Sequence, residues 1–412
     1  LDMLHAGIRD YFPLLLLIGC CGLGYLLLCG AVLRRQQVLR FRWFPVALGL
    51  LICGGYLSPP LNDLLRSVRG GVARVEGAQL WEHFGELREA RPRAVFTGSR
   101  RPNVVLIYAE SLEQRFFDET LFPGLLPHLQ RLVEQSTAFA DVAQGVGAGW
   151  TIAGMVASQC GYPLAPSHEV GGNDLSLFED FLPKATCLGD ILSRDGYQLT
   201  FMGGADARFA GKGAFLRSHG YTQIIDRDIL LESLADPAYV HGWGIFDDTL
   251  FERAYDQFLR LSRQQTPFLL TLLTLDTHNP NGFLSSSCGN YGTGDNSFLN
   301  SVHCSDLLLS RFIERIRNSP DSDSTIIIVL SDHLALRNRA TPLLERSQQP
   351  SRLLFLVNSP EGKKGVNANP GLHYDIAPTI LDLLGYELSG QLGFGASLIR
   401  GPGYLPGKFG VE

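Results

Sequence analysis

The chain has 412 residues, 45% of them hydrophobic, and a formal net charge of −6. That length admits one large α/β domain with an appendage. A negative balance without any basic tract excludes nucleic acid as a partner.

In chain order the first feature is apolar. Residues 12–33 are uncharged and rich in leucine; as a helix they would cross a bilayer core of about 30 Å. Residues 43–62 form a second uncharged stretch, interrupted by Pro45 and the Pro59-Pro60 pair. The first run is too long for a signal peptide, and no cleavage pattern follows it. A membrane region with two transmembrane helices is therefore expected over 1–62. The connector RRQQVLRFR carries Arg34, Arg35, Arg40 and Arg42 and no acid, the composition of a cytoplasmic loop. Everything after about residue 60 is then expected outside the cytoplasm. The N-terminus is expected outside too and, without an initiating methionine, further spans are expected upstream.

Residues 63–101 read as a charged juxtamembrane linker. Within it EGAQLWEHFGELREA sets Leu80, Trp81, Phe84 and Leu87 on one helical face, suited to the membrane interface or to packing on the next domain. An extracytoplasmic domain is expected over 102–400. NVVLIYA, YQLTFMGG, PFLLTLLTLDTH, TIIIVLSDH and RLLFLVNSP read as strands. LLPHLQRLVEQS, LGDILSRDG, FDDTLFERAYDQFLRLSRQ, DLLLSRFIERIRN and DIAPTILDLLGY read as helices. The alternation predicts an α/β fold, a mainly parallel central sheet with helices on both faces. Residues 401–412, rich in Gly and Pro, read as a loose tail.

Cys20, Cys21, Cys29 and Cys53 lie in the apolar segments, while Cys160, Cys187, Cys288 and Cys304 form an even set in the outer domain. Two disulfides are expected there. Neighbours would pair as Cys160–Cys187 and Cys288–Cys304; the other two pairings stay open.

Ligands of open α/β sheets bind beyond the carboxyl ends of the strands. Glu110-Ser111 follow one buried strand, Asp276-Thr277-His278 another and Asp332-His333 a third. Each acid alone is as well explained as a helix cap, and each histidine as a hydrogen-bonded residue; the convergence of three strand ends is not. Glu110, Asp332 and His333 suit a divalent cation, with Thr151 as a further oxygen ligand. Oxygen-rich sites favour Mn²⁺ or Mg²⁺, and imidazole admits Zn²⁺. Thr151 follows GVGAGW and opens a run of small apolar residues. Its simplest role is an N-cap. A helix start also attracts phosphate, and a metal lowers the pKa of a coordinated hydroxyl.

NVVLIYAESLE, TIAGMVASQCGYPL, LGDILSRDGY, RFAGKGAFLRSHGY, GWGIFDDTLFE, LTLDTHNPNGF and SDHLA, in that order, resemble the alkaline phosphatase/sulfatase superfamily. Within it they resemble the lipoteichoic acid synthase-like, membrane-anchored phosphotransferases, among them those that decorate osmoregulated periplasmic glucans with phosphoglycerol. The resemblance implies one divalent metal, Mn²⁺ foremost, held by Glu110, Thr151, Asp332 and His333. It implies Thr151 as nucleophile and His278 near the transferred phosphate or the leaving oxygen. Arg208, Lys212 and Asp206 become substrate contacts, with the choice between Arg208 and Lys212 open and a solvated basic loop as the alternative. It further implies a phosphatidylglycerol donor, a periplasmic glucan acceptor, a phosphothreonine-type intermediate and release of diacylglycerol. The location implied is a bacterial inner membrane, with the catalytic domain in the periplasm.

Trp243 reads as packing, and His373 as either structural or facing the site. No Cys/Ser-x-Pro-x-Arg block is present, so the formylglycine chemistry of sulfatases is not expected. No second complete ligand set is apparent either, which favours a single-metal transferase over a two-metal phosphatase. A phosphoethanolamine transferase, a hydrolase releasing phosphoglycerol to water, and a non-enzymatic membrane protein with a degenerate domain are the competing readings.

Overall fold

The computed structural model describes residues 92–164, 175 and 180–405. The two candidate spans and the amphipathic segment of the linker lie outside the described residues. Among the described residues no helix is long and apolar enough to cross a membrane.

The strands, in chain order, are β1 (Arg93–Phe96), β2 (Asn103–Ala109), β3 (Thr137–Phe139), β4 (Val142–Ala143), β5 (Gln198–Gly203), β6 (Gln223–Ile225), β7 (Val240–His241), β8 (Gly244–Ile245), β9 (Phe268–Leu273), β10 (Thr325–Ser331), β11 (Phe355–Asn358), β12 (Gly365–Asn367), β13 (Gly371–Leu372) and β14 (Tyr386–Ser389). The helices are α1 (Pro127–Glu134), α2 (Thr151–Cys160), α3 (Leu188–Arg194), α4 (Lys212–Ser218), α5 (Arg227–Leu231), α6 (Asp247–Ser262), α7 (Ser297–Arg317), α8 (Thr341–Leu344) and α9 (Ile376–Leu383).

One eight-stranded sheet runs in the order β12-β3-β11-β10-β2-β9-β5-β6. Its neighbours are parallel except for the two pairings of β11, so β11 alone opposes the rest. The continuous apolar runs of the central strands are explained by burial on both faces. Val104, Leu106 and Tyr108 of β2 and Ile326, Ile328 and Leu330 of β10 join a core under α2, α3, α4 and α9. The alternate residues, Val105, Ile107, Ile327 and Val329, join a second core under α1, α6 and α7. Helices therefore cover both faces.

Several boundaries differ from the sequence reading. Thr151 is the first helical residue of α2, and the N-cap is the extended Trp150, so Thr151 does not cap. Helix α7 begins at Ser297 rather than near Asp306, because the Asn296 side chain accepts the N–H groups of Phe298 and Leu299. Residues 93–96, read as linker, pair with β14. The first residues of the supposed loose tail are held: Gly403 N–H donates to the Pro370 carbonyl at 2.7 Å and Tyr404 N–H to Asp375 Oδ1 at 3.2 Å. Cys160–Cys187 and Cys288–Cys304 form the two disulfides. The first ties the end of α2 to the N-cap of α3.

Candidate active site

Strands β2 and β10 are neighbours, with Ala109 opposite Ser331. The residues that follow them, Glu110 and Asp332-His333, therefore emerge at one edge of the sheet. All three are buried, and one ligating atom from each lies within 4.8 Å of the others. His333 Nε2 is 3.2 Å from Asp332 Oδ2 and 3.4 Å from Glu110 Oε1. Its Nδ1–H donates to the Leu334 carbonyl at 2.8 Å, which turns the Nε2 lone pair of the neutral ring towards the carboxylates. Asp332 Oδ1 accepts the N–H groups of Ser111 and His333, both at 2.9 Å. Its buried Oδ2 has no hydrogen-bond partner.

Two buried carboxylates facing one another are costly without a cation. Burial, followed by the charge of Glu110, pushes Asp332 up to about 7. Burial lowers the His333 pKa, but the charges of Asp332 and Glu110 outweigh it and raise it overall. The orphaned oxygen, the inward lone pair and the paired acids are the donor chemistry a divalent cation requires, so these residues fit one.

A supporting layer fixes the acids. Ser111 sits in the left-handed region at φ 56°, which costs a non-glycine residue on the order of 1–3 kcal/mol. In that conformation its N–H reaches Asp332 and its hydroxyl donates to Glu110 Oε1 at 2.8 Å. Thr274 Oγ1 accepts the Glu110 N–H at 2.9 Å, and the Thr277 hydroxyl donates to the Glu110 carbonyl. Sequence reasoning assigned no role to Ser111, Thr274 or Thr277. Their only signal was position, immediately beyond the ends of β2 and β9.

Helix α2 brings Thr151 to the cluster, where its hydroxyl donates to Glu110 Oε2 at 3.4 Å. The approach depends on Gly154: a Cβ there would stand 1.7 Å from the Asp332 carbonyl oxygen. His373, wholly buried, accepts the Gly145 N–H at Nδ1 and donates from Nε2 to the Asp332 carbonyl at 3.1 Å. Burial lowers its pKa to about 4, so the ring is a neutral brace; of its two expected roles, the structural one describes these contacts. Trp150 packs against the core on the α2 side, with Nε1 buried and unpartnered.

His278 Nδ1–H donates to the Asn279 carbonyl at 2.8 Å, leaving Nε2 free to accept, and burial lowers its pKa. Trp243 packs against it at a tilt, 4.2 Å between ring centres, and meets Phe209 edge-on at 5.5 Å. Lys212 is 5% exposed. Its Nζ donates to the Phe209 carbonyl at 3.0 Å. Burial lowers its pKa to about 8, against the opposing pull of Glu110, Asp206 and Asp226. A solvated loop does not describe Lys212, but it does describe Arg208. The exposed Arg208 guanidinium binds Asp206 and Asp228, and among the described residues no hydrogen bond or ion pair joins Arg208 or Asp206 to the cluster. Asp276 also turns elsewhere, accepting the Ser285 hydroxyl at 2.5 Å.

Known proteins share this arrangement of elements. The chain is 43% identical over 306 residues to phosphoglycerol transferase I of Xanthomonas campestris pv. campestris, covering 73% of this chain and 43% of that protein. It is 40% identical over 303 residues to phosphoglycerol transferase I of Salmonella arizonae, covering 73% of this chain and 39% of that one. The chain thus spans less than half the length of these relatives. Among solved structures it is similar to the lipoteichoic acid synthase LtaP of Listeria monocytogenes, with TM-score 0.63, 18% identity and coverage of 78% of this chain and 81% of that one. It is also similar to an alkaline phosphatase superfamily protein of Vibrio parahaemolyticus, with TM-score 0.61, 23% identity and coverage of 76% and 72%. Both structural likenesses carry the fold alone. The sulfatase family description matches residues 102–386, well over half of the sequence, and the chain belongs to the sulfatase family.

Proposed function

We propose that this chain is part of a membrane-anchored, metal-dependent phosphotransferase that moves phosphoglycerol from phosphatidylglycerol to a periplasmic glucan. The observation that carries the reading is the Thr151 hydroxyl, at the head of α2, bonded to Glu110 within the carboxylate–imidazole cluster. The named relatives supply the group transferred. Glu110, Asp332, His333 and Thr151 would hold one divalent cation, Mn²⁺ before Zn²⁺ or Mg²⁺ for so oxygen-rich a set. When bound, such a cation lowers the pKa of a coordinated hydroxyl and stabilises phosphoryl oxygens.

The chain's own residues account for the rest. The free N–H groups of the first turn of α2 face the incoming phosphate, and Lys212 adds a buried positive charge. Thr151 Oγ1 attacks phosphorus as the bond to diacylglycerol breaks, and the proton that Thr151 gives up passes by way of His278 Nε2 to the departing oxygen. A glucan hydroxyl then passes its proton to His278 Nε2 and attacks the same phosphorus. The bond to Thr151 breaks, and the threonine oxygen takes the proton back from His278. Burial keeps His278 unprotonated at neutral pH, the state a base needs. The apolar spans, the arginine-rich connector and the two disulfides support an inner-membrane anchor with the domain in the periplasm.

The test is to incubate the membrane-reconstituted chain with headgroup-labelled phosphatidylglycerol, Mn²⁺ and a β-glucan. Label on the glucan is the expected result. Label released only as free glycerophosphate makes the protein a hydrolase, and turnover of phosphatidylethanolamine alone overturns the donor.

A further inference from the structure

The loop ahead of Thr151 has a feature the reaction does not use. Val146 is 80% exposed, more than any other large apolar side chain among the described residues. Its backbone is held from both sides. The Gly145 N–H donates to His373, the Val146 carbonyl accepts the Tyr374 hydroxyl, and the Gly147 carbonyl accepts the Leu164 N–H at 3.0 Å. A fixed backbone therefore presents an aliphatic side chain to solvent five residues from Thr151. The Gln144 side chain accepts the Leu334 N–H at 2.7 Å, tying this loop to the one beyond β10, where Leu336 is 38% exposed. On the Lys212 side of the site, beyond the end of β5, Phe209 is 39% exposed. Three loops joined to the buried polar cluster, through Gln144, through the segment that follows His333 and through the Phe209–Trp243–His278 ring contacts, thus each expose one apolar side chain.

We propose that Val146, Leu336 and Phe209 form a rim that seats the catalytic edge in the bilayer interface and contacts the diacylglycerol part of the donor lipid. This rests on the lipid-donor reading above. A leaving group with two acyl chains stays in the lipid, so the nucleophile must come to the interface, and side chains bordering it must tolerate acyl chains.

The test uses the full chain with Cys20, Cys21, Cys29 and Cys53 replaced by alanine, in equimolar dioleoyl phosphatidylglycerol and phosphatidylcholine vesicles. A polarity-sensitive fluorophore is placed on Val146→Cys or, as control, on Val366→Cys. Val366 is 70% exposed on β12, an outermost strand of the sheet. Blue-shifted emission and quenching by brominated acyl chains are expected at 146 and not at 366. Water-like emission at 146, or a blue shift only when soluble β-glucan is added, overturns the rim. In a second measurement, the Val146→Ser/Leu336→Ser double variant should lower the ratio of kcat/KM for dioleoyl over dihexanoyl phosphatidylglycerol by about tenfold, the effect of losing an aliphatic contact. An unchanged ratio also overturns it. If the unaltered chain releases no diacylglycerol, the donor reading fails, while the fluorophore still decides the rim.

Discussion

Acids and a histidine meet twice beyond the strand ends of the central sheet, once at β10 with β2 and once at β9. At β10 the His333 Nδ1–H is taken by a carbonyl, so Nε2 offers a lone pair to two acids, one of which keeps an unpartnered oxygen. At β9 the His241 Nδ1 accepts the Trp243 N–H at 3.3 Å, so the hydrogen of the neutral ring sits on Nε2, which stands 3.4 Å from Asp276 Oδ1; neither atom has a hydrogen-bond partner, and the difference from β10 lies in the tautomer. Burial lowers the His241 pKa to about 4, which keeps the ring neutral. Asp247 uses both oxygens on the N–H groups of Leu275 and Asp276, at 2.8 and 3.0 Å. The same residue types thus build a cation-type donor set in one place and a brace in the other. The brace holds the segment that carries Thr274, Thr277 and His278. One backbone contact to each ring decides which nitrogen carries the proton, and with it the role of the cluster.

The largest effects should separate the two clusters. Thr151→Ala and Asp332→Ala should each cut transfer at least about 10³-fold, and Asp332→Ala should also abolish bound metal by elemental analysis. Asp276→Asn should keep its metal and transfer within about tenfold of the unaltered chain. Metal lost from Asp276→Asn, and retained in Asp332→Ala, would reverse the assignment. Next in size is Gly154→Ala, whose Cβ meets the Asp332 carbonyl. It should lower stability by about 2 kcal/mol or more in thermal unfolding and weaken metal binding, whereas an unshifted melting temperature would mean that α2 does not lie against β10 so closely. Ser111→Ala, which removes one bond to Glu110 but leaves the ligands, should weaken metal affinity about 10- to 100-fold by competition with a chelator.

The smallest effect is a pH slope. Burial holds Asp276 up to about 7, against an ordinary 3.8. The folded chain then binds more protons between those values, so this group makes stability fall as pH rises across that window and level off above it. Asp276→Asn should flatten the decline in melting temperature between those pH values. An identical slope in both proteins would show that Asp276 is not held protonated.

Much of this was readable before any coordinates. The central strands were, because a strand buried on both faces is a continuous apolar run, and Glu110, Asp332 and His333 were, because they stand directly after such runs. Short edge elements were not: β1 is four residues of mixed exposure and β7 only two, too short for a periodicity to appear. The first turns of α7 were missed although Asn296 and Phe298 marked a start. Arg208 and Lys212 were equivalent as letters; only the start of α4 at Lys212 buries one and leaves the other among surface acids. Asp276 and Asp332 looked alike for a deeper reason. Histidine tautomers are set by carbonyls and N–H groups that tertiary structure brings near, and residue types do not record them.

The central claim, that Thr151 carries the phosphoglycerol in transit, is tested most directly by mass spectrometry of the chain quenched during turnover with phosphatidylglycerol and no glucan. The account predicts a phosphoglycerol adduct on the peptide containing Thr151, cleared when glucan is added. An adduct on another residue, or label reaching the glucan with no adduct at any time, would contradict it.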